Sequence, residues 1–116
     1  SPKSVKSPDE KLLANIMKTI NDHLDDENLT MDLIASELGL SRVHLHRKMK
    51  DLTGQTPHDF IRKLRLKKAA ELLASGKMNV SEVTYTCGFS SPTSFSALFK
   101  KFYGVAPSLY YKSKME

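Results

Sequence analysis

The strongest constraint on what this chain can fold into is that part of it occurs twice. Met49-Lys50-Asp51-Leu52-Thr53-Gly54-Gln55-Thr56-Pro57 with Phe60 matches Phe99-Lys100-Lys101-Phe102-Tyr103-Gly104-Val105-Ala106-Pro107 with Tyr110, position for position, at an offset of 50 residues. Ser41 and Leu45 match Ser91 and Phe95 at the same offset. Ile34, Leu38, Gly39 and Leu40 match Val83, Cys87, Gly88 and Phe89 at an offset of 49, so the second copy carries one extra residue in its turn. Any fold for this chain must contain one supersecondary unit built two times.

The unit reads as two short helices joined by a tight turn. In the first copy Leu33, Ile34 and Leu38 recur at helical spacing, Gly39 can take the left-handed conformation that ends a helix, and Ser41 can cap the next one. Beyond Ser41 the apolar positions Leu45 and Met49, four apart, turn one face inward and leave Arg42, His46, Arg47 and Lys50 outside. A basic helix propped by the helix before it is how nucleic-acid readers are built.

The remaining segments are helical as well. Ser7-Pro8-Asp9-Glu10 is a capping-box start, followed by the apolar stripe Leu12, Leu13, Ile16, Met17, Ile20 and Leu24. The acidic loop Asp25-Asp26-Glu27-Asn28 leads to Thr30, a candidate cap. Thr56-Pro57 opens a long helix to about Ser75, with Phe60, Ile61, Leu64, Ala69, Leu72 and Leu73 apolar and Gly76 ending it. Asn79 with Glu82 starts another helix in which Val83 and Cys87 face inward; Ser91-Pro92 opens one carrying Phe95, Leu98, Phe99 and Phe102 as core; Pro107 starts a last short one. No alternating run bounded by hairpin residues competes. The expected fold class is all-α: two helix-turn-helix subdomains, at about 30–53 and 80–103, joined by a central helix at about 57–75, with about seven helices in all. Residues 1–7 read as a linker or chain end. The central helix, roughly 27 Å long at 1.5 Å per residue, is expected to act as a fixed spacer, so that two reading helices enter major-groove segments recurring about 34 Å apart.

Charge agrees with that reading. Residues 1–40 hold 4 Lys/Arg against 8 Asp/Glu, and residues 41–116 hold 14 against 5, so positive charge gathers from the first reading helix onward. Such a field attracts phosphate, although a solvated helix face gives the same count. No apolar run approaches the ~18 residues that span a bilayer, and no signal-peptide pattern is present, so a soluble chain without membrane contact is expected. The lone Cys87 cannot form an internal disulfide and fits a reducing cytoplasm.

At these spacings the chain resembles the DNA-binding domain of AraC/XylS-type transcription regulators over about residues 10–112. The likeness is carried by Leu33-Ile34-Ala35 with Leu40-Ser41-x-x-x-Leu45-x-Arg47, by Gly54-x-x-Pro57-x-x-Phe60-Ile61 with Arg65-Leu66-x-x-Ala69, and by Gly88-Phe89-x-Ser91-x-x-x-Phe95-x-x-x-Phe99-Lys100-Lys101-x-x-Gly104-x-x-Pro107-x-x-Tyr110. The acidic first helix also looks like the output domains of bacterial hybrid two-component sensors or response regulators. The resemblance implies sequence-specific double-stranded DNA binding in transcription, more usually activation, with RNA polymerase as a further partner. It also implies dimerisation, where it occurs, through regions outside this chain.

The family's base-reading positions fall on Arg42, Val43, His46 and Arg47 in the first copy and are assigned to Pro92, Thr93, Ser94 and Ala97 in the second. Arg47 suits a bidentate bond to a guanine edge, His46 a bond to a base edge and Val43 a thymine methyl. Arg47 on a backbone phosphate and Val43 as rim packing are the alternatives. Ser41, Lys50, Ser91, Lys100 and Lys101 are expected to contact phosphates. Ala97 replaces a longer polar side chain and cannot hydrogen-bond a base, so the second helix is expected to read less directly. Thr84 replaces a small Ala and is expected to loosen that lobe. Tyr111 stands where an Arg is common.

Other chemistries have weaker support. His44 and His46 diverge by about 200° on a helix and cannot grip one metal ion as an i, i+4 pair does. Cys87 reads as a buried apolar thiol rather than a redox sensor. There is no phosphate-binding Gly-rich loop, paired carboxylate or activated nucleophile, so neither an enzyme nor a cofactor is expected. The alternative to a DNA reader is a helical docking module that uses its acidic first helix.

Overall fold

The computed structural model describes residues 7–115, so the expectation for residues 1–6 lies outside the described residues. Seven helices follow in order: α1 (Pro8–Asp22), α2 (Met31–Leu38), α3 (Arg42–Thr53), α4 (Pro57–Ser75), α5 (Val80–Thr86), α6 (Pro92–Tyr103) and α7 (Pro107–Met115). The fold is all-α, with two helix-turn-helix units, α2–α3 and α5–α6, and a long central helix between them in sequence.

Local sequence sets the helix starts. Ser7 accepts from the Glu10 backbone N–H while Glu10 returns a bond to Ser7 N–H, and Asn79 and Glu82 repeat this reciprocal box at α5. Thr30, Ser41, Thr56 and Ser91 each accept from the backbone N–H three residues on. Each such cap satisfies one of the orphan donors at a helix start, worth about 1 kcal/mol.

The chain divides into two compact units. One comprises the described residues up to His23 with Leu29–Ile61; the other comprises Leu24–Asn28 and residues from Arg62 onward. In the first unit α1, α2 and α3 pack pairwise around fully buried Ile16, Ile20, Ile34, Leu45 and Met49. Burial of each such side chain contributes roughly 1.5–3 kcal/mol. In the second unit Leu66, Ala69 and Leu73 of α4 pack with Val83, Cys87, Phe95, Phe99 and Tyr110. Its core is aromatic where the first is aliphatic: Phe95 lies 4.9 Å from Phe89 and 5.6 Å from Phe99, and Tyr110 meets Phe99 edge-on at 5.1 Å.

Three expectations are corrected. Leu24 lies beyond the end of α1 and is buried in the second unit, because α1 ends at Asp22 and the loop it enters packs there. Phe102 is not core: it is 42% exposed, with the Arg62 guanidinium 5.9 Å over its ring. Thr84 does not loosen its lobe, since it is fully buried and its hydroxyl donates to the Val80 carbonyl at 2.7 Å, which removes the cost of burying it. No helix among the described residues is long and apolar enough to cross a membrane.

Candidate nucleic-acid interface

The two turns are built alike. Leu40 N–H bonds to Ala35 O at 2.9 Å and Gly39 N–H to Ser36 O at 3.2 Å; forty-nine residues later Phe89 bonds to Thr84 at 3.0 Å and Gly88 to Tyr85 at 3.1 Å. Both glycines have positive φ, 68° and 81°. The extra residue of the second copy, Ser90, falls after these bonds and before the Ser91 cap. The helices that follow have equal length and end alike, at Gly54 and Gly104 with φ of 75° and 80°.

In α3 the buried pair Leu45 and Met49 fixes which way the helix faces. At 100° per residue, Arg42, Val43, His46, Arg47 and Lys50 then fall within an arc of about 140°, and all five are exposed, Val43 by 68%. Together with Met31 and Asp51 they line an open concavity of about 540 Å³. Lys48 points elsewhere, to Asp9 at 3.4 Å. Arg42 has Asp32 at 3.9 Å, but both side chains are well exposed, and such a pair holds its cation weakly.

The helix ends add to this field. The first turns of α1, α2, α4 and α5 carry acidic residues, Asp9 and Glu10, Asp32, Asp59 and Glu82, whereas α3, α6 and α7 carry none. A helix start without a carboxylate keeps its partial positive charge unopposed by its own first turn.

In the second copy Pro92, Thr93, Ala97 and Lys100 occupy the places of Arg42, Val43, Arg47 and Lys50 on a helix anchored by buried Phe95 and Phe99. Ser94 does not share their arc. It is the counterpart of His44, about 200° from Pro92, and its backbone N–H is bonded to the Ser91 hydroxyl. The counterpart of His46 is the half-buried Ser96, which the expected set omits, although the offset of 50 already pointed to it. Lys101 corresponds to Asp51, so the second copy has a cation at a site where the first has a carboxylate.

His44 is exposed and on the far side of α3 from His46, and among the described residues no three His, Cys, Asp or Glu side chains are grouped to hold a metal. Cys87 is fully buried, and that burial pushes its thiol up to about 11.

Residues 34–113 match the family model described as "Helix-turn-helix domain". The chain is 40% identical over 107 residues to "Histidine kinase P4" of Formosa agariphila, covering 92% of this chain and 8% of that protein. It is 37% identical over 92 residues to the "HTH-type transcriptional activator RhaS" of Escherichia coli, covering 79% of this chain and 33% of that protein. The chain thus spans a third or less of the length of these curated relatives. Among solved structures it resembles the DNA-binding domain of AdpA, described as a global transcriptional factor in complex with a target DNA. The TM-score is 0.79 at 28% identity, over 87% of this chain and 90% of that one.

Proposed function

Because the chain belongs to the family of AraC-type helix-turn-helix DNA-binding domains, we propose that it binds double-stranded DNA sequence-specifically and regulates transcription, with α3 as the principal reader. The observation that carries this is the exposed arc of Arg42, Val43, His46, Arg47 and Lys50 on a helix whose opposite face is locked by Leu45 and Met49. In this reading Arg42, Val43, His46 and Arg47 contact base edges. Ser41, Lys50, Ser91, Lys100 and Lys101 contact phosphates, and α6 adds Pro92, Thr93, Ser96 and Ala97 with less direct readout, Ser96 taking the place first given to Ser94.

The finer parts of the proposal rest on the relatives. Transcription activation is supported by the 37% identity to a protein named a transcriptional activator, and RNA polymerase is the partner this reading proposes. A role as the output part of a larger signalling regulator is supported by the 40% identity to a small segment of a histidine kinase; a cytoplasmic location, and any dimerisation through other parts, are proposed with it.

The test is selection of bound sequences from random duplex DNA, followed by titration of the selected site against scrambled duplex at several salt concentrations. A salt-sensitive preference for one site supports the reading. Arg47→Ala should then weaken binding to that site by about 1–3 kcal/mol and relax specificity at one position. Equal affinity for selected and scrambled duplex refutes it. Arg47→Ala with Lys50→Ala should abolish the preference while leaving any protein partner of the acidic α1 bound, which separates DNA reading from a docking module.

A further inference from the structure

The turn of the second copy is crowded at its glycine and the turn of the first is open there. A methyl group added at Gly39 would meet nothing within 4 Å. One added at Gly88 would collide with the backbone oxygen of Leu24 and lie 3.0 Å from Cζ and Nε of Arg65. Arg65 projects from α4, and its Nη2 donates to the backbone oxygen of Asp26. Its Nε is buried with no acceptor among the described residues, beside the space that a Gly88 side chain would fill. Burial lowers the pKa of Arg65, with the Asp26 and Glu27 carboxylates opposing the shift. Loop Leu24–Asn28, the planar guanidinium and the turn at Gly88 therefore form one stack within the second unit.

We propose that Arg65 is a positioning residue for the second reading helix: it fastens Leu24–Asn28 to the turn at Gly88 and so fixes where α6 begins. This rests on the reading of α6 as a DNA-contacting helix. The need for such a clamp follows from the side chains of α6. Arg42, His46 and Arg47 of α3 are long and can follow a small displacement. Thr93, Ser96 and Ala97 are short, and a shift of about 1 Å carries a hydroxyl out of the ~2.5–3.2 Å range of a hydrogen bond. The copy with the shorter side chains and the longer turn is the copy with the clamp. Arginine suits the place because a flat guanidinium can lie against a glycine Cα while still donating from its edge; a lysine ammonium keeps the charge without the plane.

The experiment compares the whole chain with its Arg65→Met and Arg65→Lys variants in two measurements. In amide hydrogen exchange without DNA, Arg65→Met should speed exchange about tenfold or more at Phe89 and neighbouring amides, with Gly39 and Leu40 unchanged. In selection from random duplex, the wild-type chain should give a two-block motif. Both variants should then lose base preference in the second block and keep the first, with affinity for the wild-type site falling about five- to fiftyfold. Restoration of the second block by Arg65→Lys would mean that charge alone acts, and would overturn the proposal. An unaltered second block in Arg65→Met, or equal loss from both blocks, would overturn it as well. A wild-type chain that selects no motif refutes the DNA reading itself, and exchange at Phe89 unchanged by Arg65→Met refutes the clamp whatever the DNA result.

Discussion

Gly39→Ala and Gly88→Ala place the same substitution at equivalent points of the two copies, and the structure assigns them different costs. Both glycines have positive φ, where an L side chain costs about 1–2 kcal/mol. Reduced freedom of the unfolded chain returns about 0.4–1 kcal/mol. At Gly39 nothing lies within 4 Å of the new methyl group, so the net loss should be about 1 kcal/mol. At Gly88 the methyl group meets a backbone carbonyl, which cannot rotate away as a side chain can, and the Arg65 guanidinium. Relieving that collision moves the turn or the loop, at about 1–3 kcal/mol for overpacking. It also disturbs the charge-assisted bond from Arg65 to Asp26, worth about 1.5–3 kcal/mol. The total for Gly88→Ala should therefore be about 3.5–7 kcal/mol, at least ~2.5 kcal/mol more than for Gly39→Ala. Urea unfolding followed by far-ultraviolet circular dichroism measures both, and in a chain of this size each kcal/mol lowers Tm by roughly 4 °C. If the two variants lose stability within ~0.5 kcal/mol of each other, the second turn is no more crowded than the first and the reasoning fails.

The other predictions concern single side chains. Ser41→Ala and Ser91→Ala each remove a cap bond, of 3.0 and 3.2 Å, and should each cost about 1 kcal/mol; urea midpoints unchanged in both would remove capping from the account. Cys87 is buried with its thiol raised to about 11, so the folded state favours the protonated form. Its contribution to stability is complete below the thiol's ordinary pKa near 9 and is lost as pH rises from there through about 11. Iodoacetamide at pH 8.5 should accordingly label the unfolded chain quickly and the native chain slowly, and equal rates would contradict the burial. Ala97→Arg should sharpen or change the base preference of the second block in duplex selection, because Ala97 is exposed at the place that Arg47 holds in α3; an unchanged motif would put that position off the groove.

Most of the helix boundaries were legible because they are written in local chemistry. Ser, Thr and Asn caps, proline at first helical positions and glycine after the last turn act within a few residues, and every cap named from the sequence makes its bond. The duplication was legible for the same reason, since equal spacing of caps, apolar anchors and glycines is a property of the string. It even held the information that Ser96, rather than Ser94, corresponds to His46.

What spacing could not supply was the far side of each contact. Phe102 falls on the apolar period of α6, yet it stays 42% exposed with the Arg62 guanidinium over its ring, because exposure depends on what packs opposite. Thr84 looked like a flaw in its lobe until its hydroxyl was seen bonded to Val80 one turn back. Leu24 continued the stripe of α1 by period but is buried in the other unit, because the chain leaves the helix before reaching it. The sequence by itself determined a duplicated, all-helical fold with a basic second helix in its first unit, since periodicity, capping and charge are local or additive. Only the tertiary structure decided that two matching glycines have different duties: Gly39 answers to its own φ alone, while Gly88 also answers to a loop sixty-odd residues earlier and to an arginine from another helix. Contacts between segments so far apart in the chain are set by packing, which no local pattern records.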